Sequence, residues 1–506
     1  MKILLVYPLF PDTYWSFKHA LAFEGKRAAF PPLGLLTVSA MLPANWERRL
    51  VDMNIEELHD AEIEWADIVF ISAMIVQKDS LEDVVKRSRS MGKRIAVGGP
   101  YVSTSSESVP DADHIFIGEA EETLPHFIRD IELGIPDKVY RADERPSLHA
   151  TPVPDFGLID MPKYSAMNVQ YSRGCPFNCE FCDIIEIYGR VPRTKTNQQM
   201  LCELDALKDA GWRGLVFIVD DNFIGNKKNV RLLMPDLIEW SRTNDFPFSF
   251  ITEASVNLAE DDALLQQMED AGFRRVFLGI ETPVEASLKE AQKGQNTRRS
   301  LIDSIHKIQG YGMEVMAGFI VGFDSDPEDI FDRQINFIRD SAIPLAMVGL
   351  LSALPDTQLW RRLEKEGRLE GYHSGNNTDC TLNFIPKMNP ERLISGFQAI
   401  LQNIYSPKEY YARALDCLSR FHQNRIEPRK STWTKDIKAF CRIIMTLGIR
   451  DRARIQFWKY FYQLLRFHPS DFAHGLTLAA MGYHFRRITE KYCARSSAVS
   501  EISFSN

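Results

Sequence analysis

Three cysteines within eight residues are the part of this sequence with the clearest capacity for chemistry. Cys175, Cys179 and Cys182 have the spacing C-x3-C-x2-C within the stretch YSRGCPFNCEFCDIIEIYGR. Thiolates bind soft metals, but a structural zinc site takes four ligands, and an electron-transfer [4Fe-4S] cluster takes four thiolates. The next cysteine, Cys202, is twenty residues further along the chain. Three protein ligands therefore indicate a metal centre with one open position, as a chemical site requires.

The elements that must position these cysteines are short apolar segments separated by helical stretches. Each segment is too short for a helix and ends in turn or polar residues, so each is predicted to be a β-strand. The predicted strands are 167–174, 214–222, 248–254, 275–282, 314–323 and 345–354. Six β/α units predict a partial TIM-type (β/α)6 barrel over residues 165–370. The site of such a barrel lies at the carboxyl ends of its strands, and the cysteines directly follow the first strand.

The rest of the chain divides into three further regions. Five more apolar segments, at 2–8, 48–54, 67–74, 94–100 and 114–119, alternate with helices and predict a doubly wound parallel sheet in residues 1–135. Residues 136–164 are proline-rich and aperiodic, which indicates a linker. Residues 371–506 are predicted to be mostly helical. The fold class expected is thus α/β, followed by a helical C-terminal region.

The cysteine spacing, with Phe181 before the third cysteine and a barrel strand before the first, resembles the radical S-adenosylmethionine (SAM) superfamily. The resemblance implies that the three thiolates hold a [4Fe-4S] cluster whose fourth iron binds SAM. One electron from the cluster would then cleave SAM to a 5′-deoxyadenosyl radical. It also implies SAM contacts at the ends of the following strands. The expected SAM-binding residues are Phe181, Asp220, Asp221, Glu253, Ser255, Glu281 and Gly318.

Two arginines flank the cysteine loop. Arg173 and Arg190 are candidates to balance the negative charge of the thiolates, with solvated side chains as the alternative.

A doubly wound domain in front of such a barrel resembles the cobalamin-binding class of this superfamily. The usual D-x-H-x-x-G motif is absent, because the second strand ends in Asp52, Met53 and Asn54, so we expect no histidine ligand to cobalt at this place. Small residues that follow strands would let the backbone approach a large flat ring. The expected cobalamin contacts are Ser72, Ala73, Gly98, Gly99, Gly118 and Glu119. A degenerate flavodoxin-like domain that only packs on the barrel is the alternative.

A narrower resemblance rests on the segments CDIIEIYGR, VDDNFIGN, GIETP, YGMEV and EKEGRL. They are similar to the family of the bacterial hopanoid C-2 methylase. This resemblance implies methyl transfer to an unactivated carbon of an apolar substrate, such as a hopanoid or another isoprenoid. SAM would serve both as radical source and as methyl donor to cobalamin. Two alternatives stay open: a radical SAM enzyme of another outcome, such as cyclisation or rearrangement, and a non-catalytic Fe–S or zinc-binding interaction protein.

Charge and composition set expectations for location and partners. The net charge is −8, yet residues 407–506 carry 18 basic and 8 acidic residues. This asymmetry indicates an anionic partner, for which we expect a membrane surface rather than nucleic acid; a solvated basic helical bundle is the alternative. No signal peptide or membrane-spanning segment is visible, and eight cysteines in 506 residues do not form a disulfide framework. We expect a cytoplasmic enzyme, peripheral to the membrane, that is served by an electron donor such as flavodoxin or ferredoxin.

Overall fold

The computed structural model describes residues 1–109, 111–371, 374–376, 380–421 and 433–503. Its N-terminal part is a six-stranded, all-parallel sheet with strand order β2-β1-β3-β4-β5-β6. The strands are β1 Lys2–Tyr7, β2 Glu47–Asp52, β3 Ile68–Ser72, β4 Arg94–Gly98, β5 His114–Ile117 and β6 Val139–Arg141. The first five confirm the predicted strands. The sixth lies inside the predicted linker and extends the sheet by pairing with β5.

Helices cover both faces of this sheet, as in a doubly wound fold. They are α1 Lys18–Glu24, α2 Leu33–Met41, α3 Asp60–Trp65, α4 Lys78–Ser90, α5 Pro100–Thr104 and α6 Ala120–Leu133. Two separate apolar clusters form, one on each face: Leu4 and Val6 point into one cluster, whereas Ile3 and Leu5 point into the other. A central strand that is apolar on both faces reads as a continuous hydrophobic run, which explains the segment KILLVY.

The second sheet confirms the predicted barrel strands. It is parallel, and its order is β14-β13-β12-β11-β10-β7. The strands are β7 Ala166–Val169, β10 Gly214–Ile218, β11 Phe248–Ala254, β12 Phe273–Glu281, β13 Glu314–Val321 and β14 Leu345–Leu350. The predicted first strand ended too late, because residues after Val169 form a separate two-stranded ladder of β8 Ser172–Arg173 with β9 Arg193–Thr194.

The barrel helices alternate with these strands. They are α7 Ile184–Ile187, α8 Asn197–Asp209, α9 Lys227–Thr243, α10 Asp262–Ala271, α11 Glu285–Glu290, α12 Leu301–Gly310, α13 Ile330–Asp340 and α14 Gln358–Lys365. The sheet does not close on itself. Its β7 edge is covered by the N-terminal segment, where Ala166 donates its backbone N–H to Ala29 at 3.0 Å. Near its β14 edge, the Tyr405 hydroxyl donates to the Ala346 carbonyl at 2.6 Å.

The C-terminal part is helical, as predicted. It comprises α15 Pro390–Ile404, α16 Pro407–Ser419, α17 Trp433–Ile443, a π-helix Ile444–Arg450, α18 Arg454–Phe467 and α19 Phe472–Ser503. Tyr14 stacks on Phe485 of α19 with ring centroids 4.9 Å apart, and Phe485 stacks on Tyr405. The N-terminal segment and the C-terminal helices thus close the open side of the barrel together. None of the helices in the described part of the chain is long and apolar enough to span a membrane.

Candidate active site

The cysteine loop leaves the barrel sheet between β7 and α8 and is pinched at its base by β8 and β9. Gly174 has a φ of +97°, and a Cβ there would lie 2.9 Å from the Gly189 carbonyl oxygen. The Cys175 N–H donates to that same carbonyl at 3.1 Å. Only glycine fits this close crossing of the two ends of the loop. The loop therefore presents the cysteines as one folded unit at the carboxyl edge of the sheet.

The three cysteines are partly exposed thiols. Burial raises the pKa of all three, most strongly for Cys182, and the charges of neighbouring thiolates raise the pKa of Cys175 and Cys182 further. Three thiolates held together in these partly buried positions are unfavourable without a cation, and a bound metal supplies that cation. Within the residues described, no three His, Cys, Asp or Glu side chains converge on one point as a single zinc ion would require. The donor set fits a larger cluster in which each sulfur binds a different iron.

Asp220 and Asp221 follow β10, and both hold the cysteine loop. The Asp220 carboxylate accepts the Tyr171 N–H at 2.8 Å and the Ser172 hydroxyl at 2.6 Å. Asp221 accepts the Gly174 N–H at 2.7 Å. Both oxygens of Asp220 are thus engaged inside the protein. In the structure Asp220 anchors the loop, and its predicted contact with SAM stays a prediction.

Glu253 on β11 completes an acidic group with these two aspartates. Burial is the main cause of raised pKa values, to about 6 for Asp220, about 7 for Asp221 and about 8 for Glu253. Repulsion between the carboxylates raises the pKa of Asp221 and Glu253 further. Crowded, poorly solvated carboxylates favour a cationic ligand. The SAM-binding roles predicted for Asp221 and Glu253 stay predictions, and this electrostatic environment suits the amino and sulfonium groups of SAM.

Asn222 is a residue that the sequence analysis missed. Its side-chain Nδ2 lies 3.8 Å from the Cys175 sulfur and 3.3 Å from the Ser255 hydroxyl. Its Oδ1 atom is buried and has no hydrogen-bond partner among the residues described. An orphaned buried acceptor is rare in a finished site and is consistent with a missing ligand. Ser255 accepts the hydrogen bond from Asn222 and donates its own to Asn257 at 2.5 Å; its predicted SAM contact stays a prediction.

Glu281 at the end of β12 forms an ion pair with Lys293, a second residue missed from the sequence. Burial alone would lower the pKa of Lys293, but the Glu281 and Cys179 charges outweigh it and raise that pKa. A Cβ on Gly279 would lie 2.5 Å from the Lys293 nitrogen, so this glycine leaves room for the pair. The lysine lies 6.0 Å from the ring of Phe181. Lys293 therefore places a positive charge beside the cysteines.

Two further residues complete the cysteine surroundings. Gln295, also missed, has its Nε2 atom 3.9 Å from the Cys179 sulfur. Gly318 on β13 was expected to let adenine approach the backbone. In the structure it faces the ring of Phe277, which would lie 3.2 Å from a Cβ at this position. The adenine role of Gly318 stays a prediction.

The residues expected to bind cobalamin lie together at the carboxyl ends of β3, β4 and β5. Gly99 has a φ of +98°, and a Cβ there would lie 2.7 Å from the Ser72 hydroxyl and 3.0 Å from the Ala73 carbonyl. Gly98 and Gly118 stand at the ends of the neighbouring strands. Leu9 and Met74, large apolar side chains at the same edge, are exposed. A glycine-lined edge with exposed apolar side chains fits a large flat ring.

Glu119 is the exception among these six. Its carboxylate pairs with Arg173 at 2.7 Å and with Arg193 at 2.7 Å, and its side chain is only 3% exposed. Arg173 also pairs with Glu121 at 2.8 Å. The structure thus places Glu119 and Arg173 in an ion-pair network between the two domains. The cobalamin contact of Glu119 and the charge-balancing role of Arg173 beside the thiolates stay predictions. Arg190 donates to the Pro176 carbonyl at 3.3 Å and thus supports the loop backbone.

Asn54 occupies the place of the histidine in the usual cobalamin motif. Its amide donates to Asp52 at 2.7 Å and to the Pro8 carbonyl at 3.3 Å, and its oxygen accepts the Phe10 N–H at 2.9 Å. Asp52 also accepts the Tyr164 hydroxyl at 2.9 Å. The side chain at this position therefore holds the ends of the strands together.

Comparison with known families agrees with this arrangement. The radical SAM superfamily matches residues 169–338, a B12 binding domain matches residues 27–128, and a domain of unknown function (DUF4070) matches residues 357–498. The uncharacterized methyltransferase sll1242 of Synechocystis sp. (strain ATCC 27184 / PCC 6803 / Kazusa) is 43% identical, over 97% of this chain and 92% of that protein. The hopanoid C-2 methylase of Rhodopseudomonas palustris (strain TIE-1) is 33% identical, over 96% of this chain and 92% of that protein.

Solved structures show the same fold. The cobalamin-dependent S-adenosylmethionine radical enzyme OxsB, with aqua-cobalamin and SAM bound, matches with a TM-score of 0.61 at 16% identity, over 100% of this chain and 81% of that chain. The radical SAM methyltransferase TsrM from Kitasatospora setae, with cobalamin and a [4Fe-4S] cluster bound, matches with a TM-score of 0.61 at 12% identity, over 97% and 99%. Domain order, relatives and cysteine loop agree: the chain belongs to the family of B12-binding radical SAM methyltransferases, enzymes that use a [4Fe-4S] cluster, SAM and cobalamin.

Proposed function

We propose that the chain methylates an unactivated carbon of an apolar substrate, with hopanoid-type isoprenoids as the first candidates. The family requires a substrate and a reductant, and neither is fixed by the cofactors alone. When bound, the cluster and SAM supply a radical that removes a hydrogen atom, and cobalamin supplies the methyl group. The remaining argument concerns what the residues of this chain contribute.

The observation that carries the proposal is the junction between the two cofactor-binding edges. Arg173 lies two residues before Cys175 and binds Glu119 and Glu121, which directly follow the end of β5 in the first sheet. Arg173 is 11% exposed, and the two glutamates are 3% and 2% exposed. Such buried pairs hold a fixed geometry, because separating them would leave charges without partners. The network holds the end of β5 beside the cysteine loop, which supports methyl transfer from a cobalamin bound at that edge to a carbon radical formed near the loop.

An aromatic surface on the inner face of the barrel supports an apolar substrate. Phe277 is the direct β-ladder partner of Glu253, so both side chains lie on the same face of the sheet. Trp15 from the N-terminal segment lies 5.2 Å from Phe277, between ring centroids. Phe30 from the same segment lies 5.3 Å from Phe217. This surface excludes water next to the acidic group and offers apolar contacts to a substrate.

The relatives support the same substrate class. The hopanoid C-2 methylase matches over almost the whole chain, including the helical C-terminal part. The bacteriochlorophyllide d C-12(1)-methyltransferase of Chlorobaculum tepidum is 24% identical over 74% of the chain. We therefore rank an isoprenoid above a tetrapyrrole substrate.

The test is a labelled methyl transfer. Anaerobically reconstituted enzyme with hydroxocobalamin is incubated with a chemical reductant, SAM carrying a deuterated methyl group, and a hopanoid extract. The proposal predicts a deuterated methyl group on a hopanoid carbon together with 5′-deoxyadenosine. Cleavage of SAM without label in the hopanoid, but with label in an added tetrapyrrole, would overturn the substrate class. A rearranged or cyclised product without label would overturn methyl transfer itself.

A further inference from the structure

Helix α18 carries two apolar stripes on opposite sides. Phe457, Tyr460 and Leu464 are buried and pack into the core of the C-terminal region. The second stripe consists of Ile455, Trp458, Tyr462 and Leu465, and all four are exposed. Their spacing of three, four and three residues places them along one side of the helix. A surface helix of a globular protein normally keeps its solvent side polar, so this second stripe needs an explanation.

The preceding helices add to the exposed stripe. Ile437 and Phe440 of α17, with Met445 and Ile449 of the π-helix, are exposed as well. Contacts between rings connect the two helices, because Phe440 lies 6.5 Å from Phe461 of α18. The Trp458 indole N–H donates to the Gly448 carbonyl at 2.9 Å. We call these eight exposed side chains, four on α17 and the π-helix and four on α18, the apolar strip.

Basic side chains accompany the apolar strip. Residues 433–467 contain eight Lys and Arg and two Asp and Glu, which gives a net charge of +6. The exposed basic residues of α18 and of the segment just before it are Arg450, Arg452, Arg454, Lys459 and Arg466. One of the two acidic residues, Asp451, is paired with Arg486. The strip is therefore surrounded by positive charge at its solvent side.

We propose that the apolar strip docks the enzyme on the surface of an anionic lipid bilayer. Exposed aromatic and aliphatic side chains together with Lys and Arg are the composition of helices that lie in the membrane interface. Two copies of this chain would bring their positive charges together if they paired through the strip, so a lipid surface with negative headgroups fits better. The helices lie on the membrane without spanning it.

The location of the strip connects it to the proposed site. Arg442 of α17 donates to the Phe23 carbonyl of α1 at 3.1 Å. Helix α1 directly follows the segment whose Trp15 reaches the inner face of the barrel. An enzyme docked through the strip would hold this segment close to the lipid. This inference goes beyond the proposed function, because it concerns where the enzyme works and does not depend on which substrate it methylates.

The experiment measures sedimentation of the full-length protein with vesicles. Vesicles of phosphatidylcholine with phosphatidylglycerol are compared with vesicles of phosphatidylcholine alone, at low and high salt. We expect binding to the anionic vesicles that weakens with salt. Removing charge with R452Q and K459Q together should lower the partition coefficient about 25-fold, since each basic residue near an anionic surface contributes about fivefold.

The apolar part is tested by the pair I455E and L465E, at positions that are 63% and 50% exposed. Both side chains face solvent, so folding should be unchanged, and partition should fall roughly tenfold or more. The matched control is L133E with I135E, at positions 65% and 66% exposed and outside the strip. It should bind vesicles like wild type, and circular dichroism checks the fold of each variant.

Three outcomes would overturn the proposal. The first is a wild type that does not sediment with anionic vesicles. The second is equal loss of binding in the control pair. The third is a wild-type dimer that I455E with L465E converts to a monomer without any vesicle binding, which would make the strip an interface between copies of the chain.

Discussion

The two sheet edges at which we propose that the cofactors bind are built in different ways. At the carboxyl edge of the barrel sheet, the residues proposed to bind the cluster and SAM are side chains that can serve as ligands or charges: three thiols, a crowded acidic group and the Glu281–Lys293 pair. The cobalamin edge relies mainly on small residues and backbone, with Gly99 against Ser72 and Ala73. A site that binds its cofactor through ligating side chains should lose the cofactor when one ligand is removed. A site that binds through the fit of small residues and backbone should lose only part of its affinity with each substitution. The predictions below test this contrast.

The largest effect is expected at the cysteines. Cys179→Ala removes one of three ligands, so SAM cleavage should fall below detection while the fold is kept. The readouts are 5′-deoxyadenosine formation, iron content and circular dichroism. Cys202→Ala, outside the loop, is the matched control and should cleave SAM normally. Turnover in Cys179→Ala would refute the ligand assignment.

The junction between the edges should be the next most sensitive place. Burial would raise the pKa of Glu121, but Arg173 outweighs it and lowers that pKa to about 2. Glu121→Gln leaves part of the Arg173 charge without its partner and should cost about 3 kcal/mol in unfolding free energy. This stabilisation is present near neutral pH and is lost as the pH falls from the unfolded Glu pKa towards about 2.

Chemical denaturation at pH 7 measures this cost. Lys289→Gln is the control, since Lys289 forms only an exposed pair with Glu285 and its loss should leave stability unchanged. An equal effect of the two substitutions would show that the junction is not a special contact.

The acidic group gives a prediction with the opposite pH dependence. Burial raises the pKa of Glu253 to about 8, above its unfolded value near 4.3. The folded apoprotein therefore binds more protons than the unfolded chain, and its stability falls as the pH rises between these two values. Glu253→Gln should remove this penalty, so its gain in unfolding free energy should be larger at pH 8 than at pH 5, by on the order of 3 kcal/mol. A gain in unfolding free energy that is the same at both pH values would contradict the raised pKa of Glu253.

The smallest effect is expected at the cobalamin edge. Gly99→Ala introduces a Cβ 2.7 Å from the Ser72 hydroxyl at a φ of +98°. We expect cobalamin retention to fall about tenfold, equivalent to ~1.4 kcal/mol of binding free energy, while SAM cleavage continues. Gly34→Ala, where a Cβ meets nothing within 4 Å, is the control. The corrinoid absorbance that the protein retains after desalting measures cobalamin retention. Complete loss of SAM cleavage in Gly99→Ala would show that the cobalamin edge and the cysteine loop do not act separately.

Much of the fold could be predicted from the sequence because it depends on local patterns. The apolar runs identified eleven of the strands, and the three cysteines come shortly after one of them, β7, with only the short strand β8 between. β6 was missed because Val139–Arg141 is a short edge strand with a single buried residue, Tyr140. The pattern of such a strand does not differ from that of a linker.

The partners of charged side chains could not be predicted, because they depend on how distant segments meet. Glu119 and Arg173 are 54 residues apart and pair only once both domains are folded. Asn222 reaches the cysteines from the end of β10, and Lys293 and Gln295 reach them from one short segment after α11. Among these three, only Asn222 had a local signal, as the residue that follows Asp220 and Asp221 at a strand end.

The central claim is a cluster held by three cysteines with one iron open to SAM. The most direct measurement is electron paramagnetic resonance of the reduced, anaerobically reconstituted enzyme with and without SAM. We predict about four irons per chain and a cluster signal that shifts when SAM is added. A signal that does not respond to SAM, with the fourth iron bound by a side chain of this protein, would contradict the account.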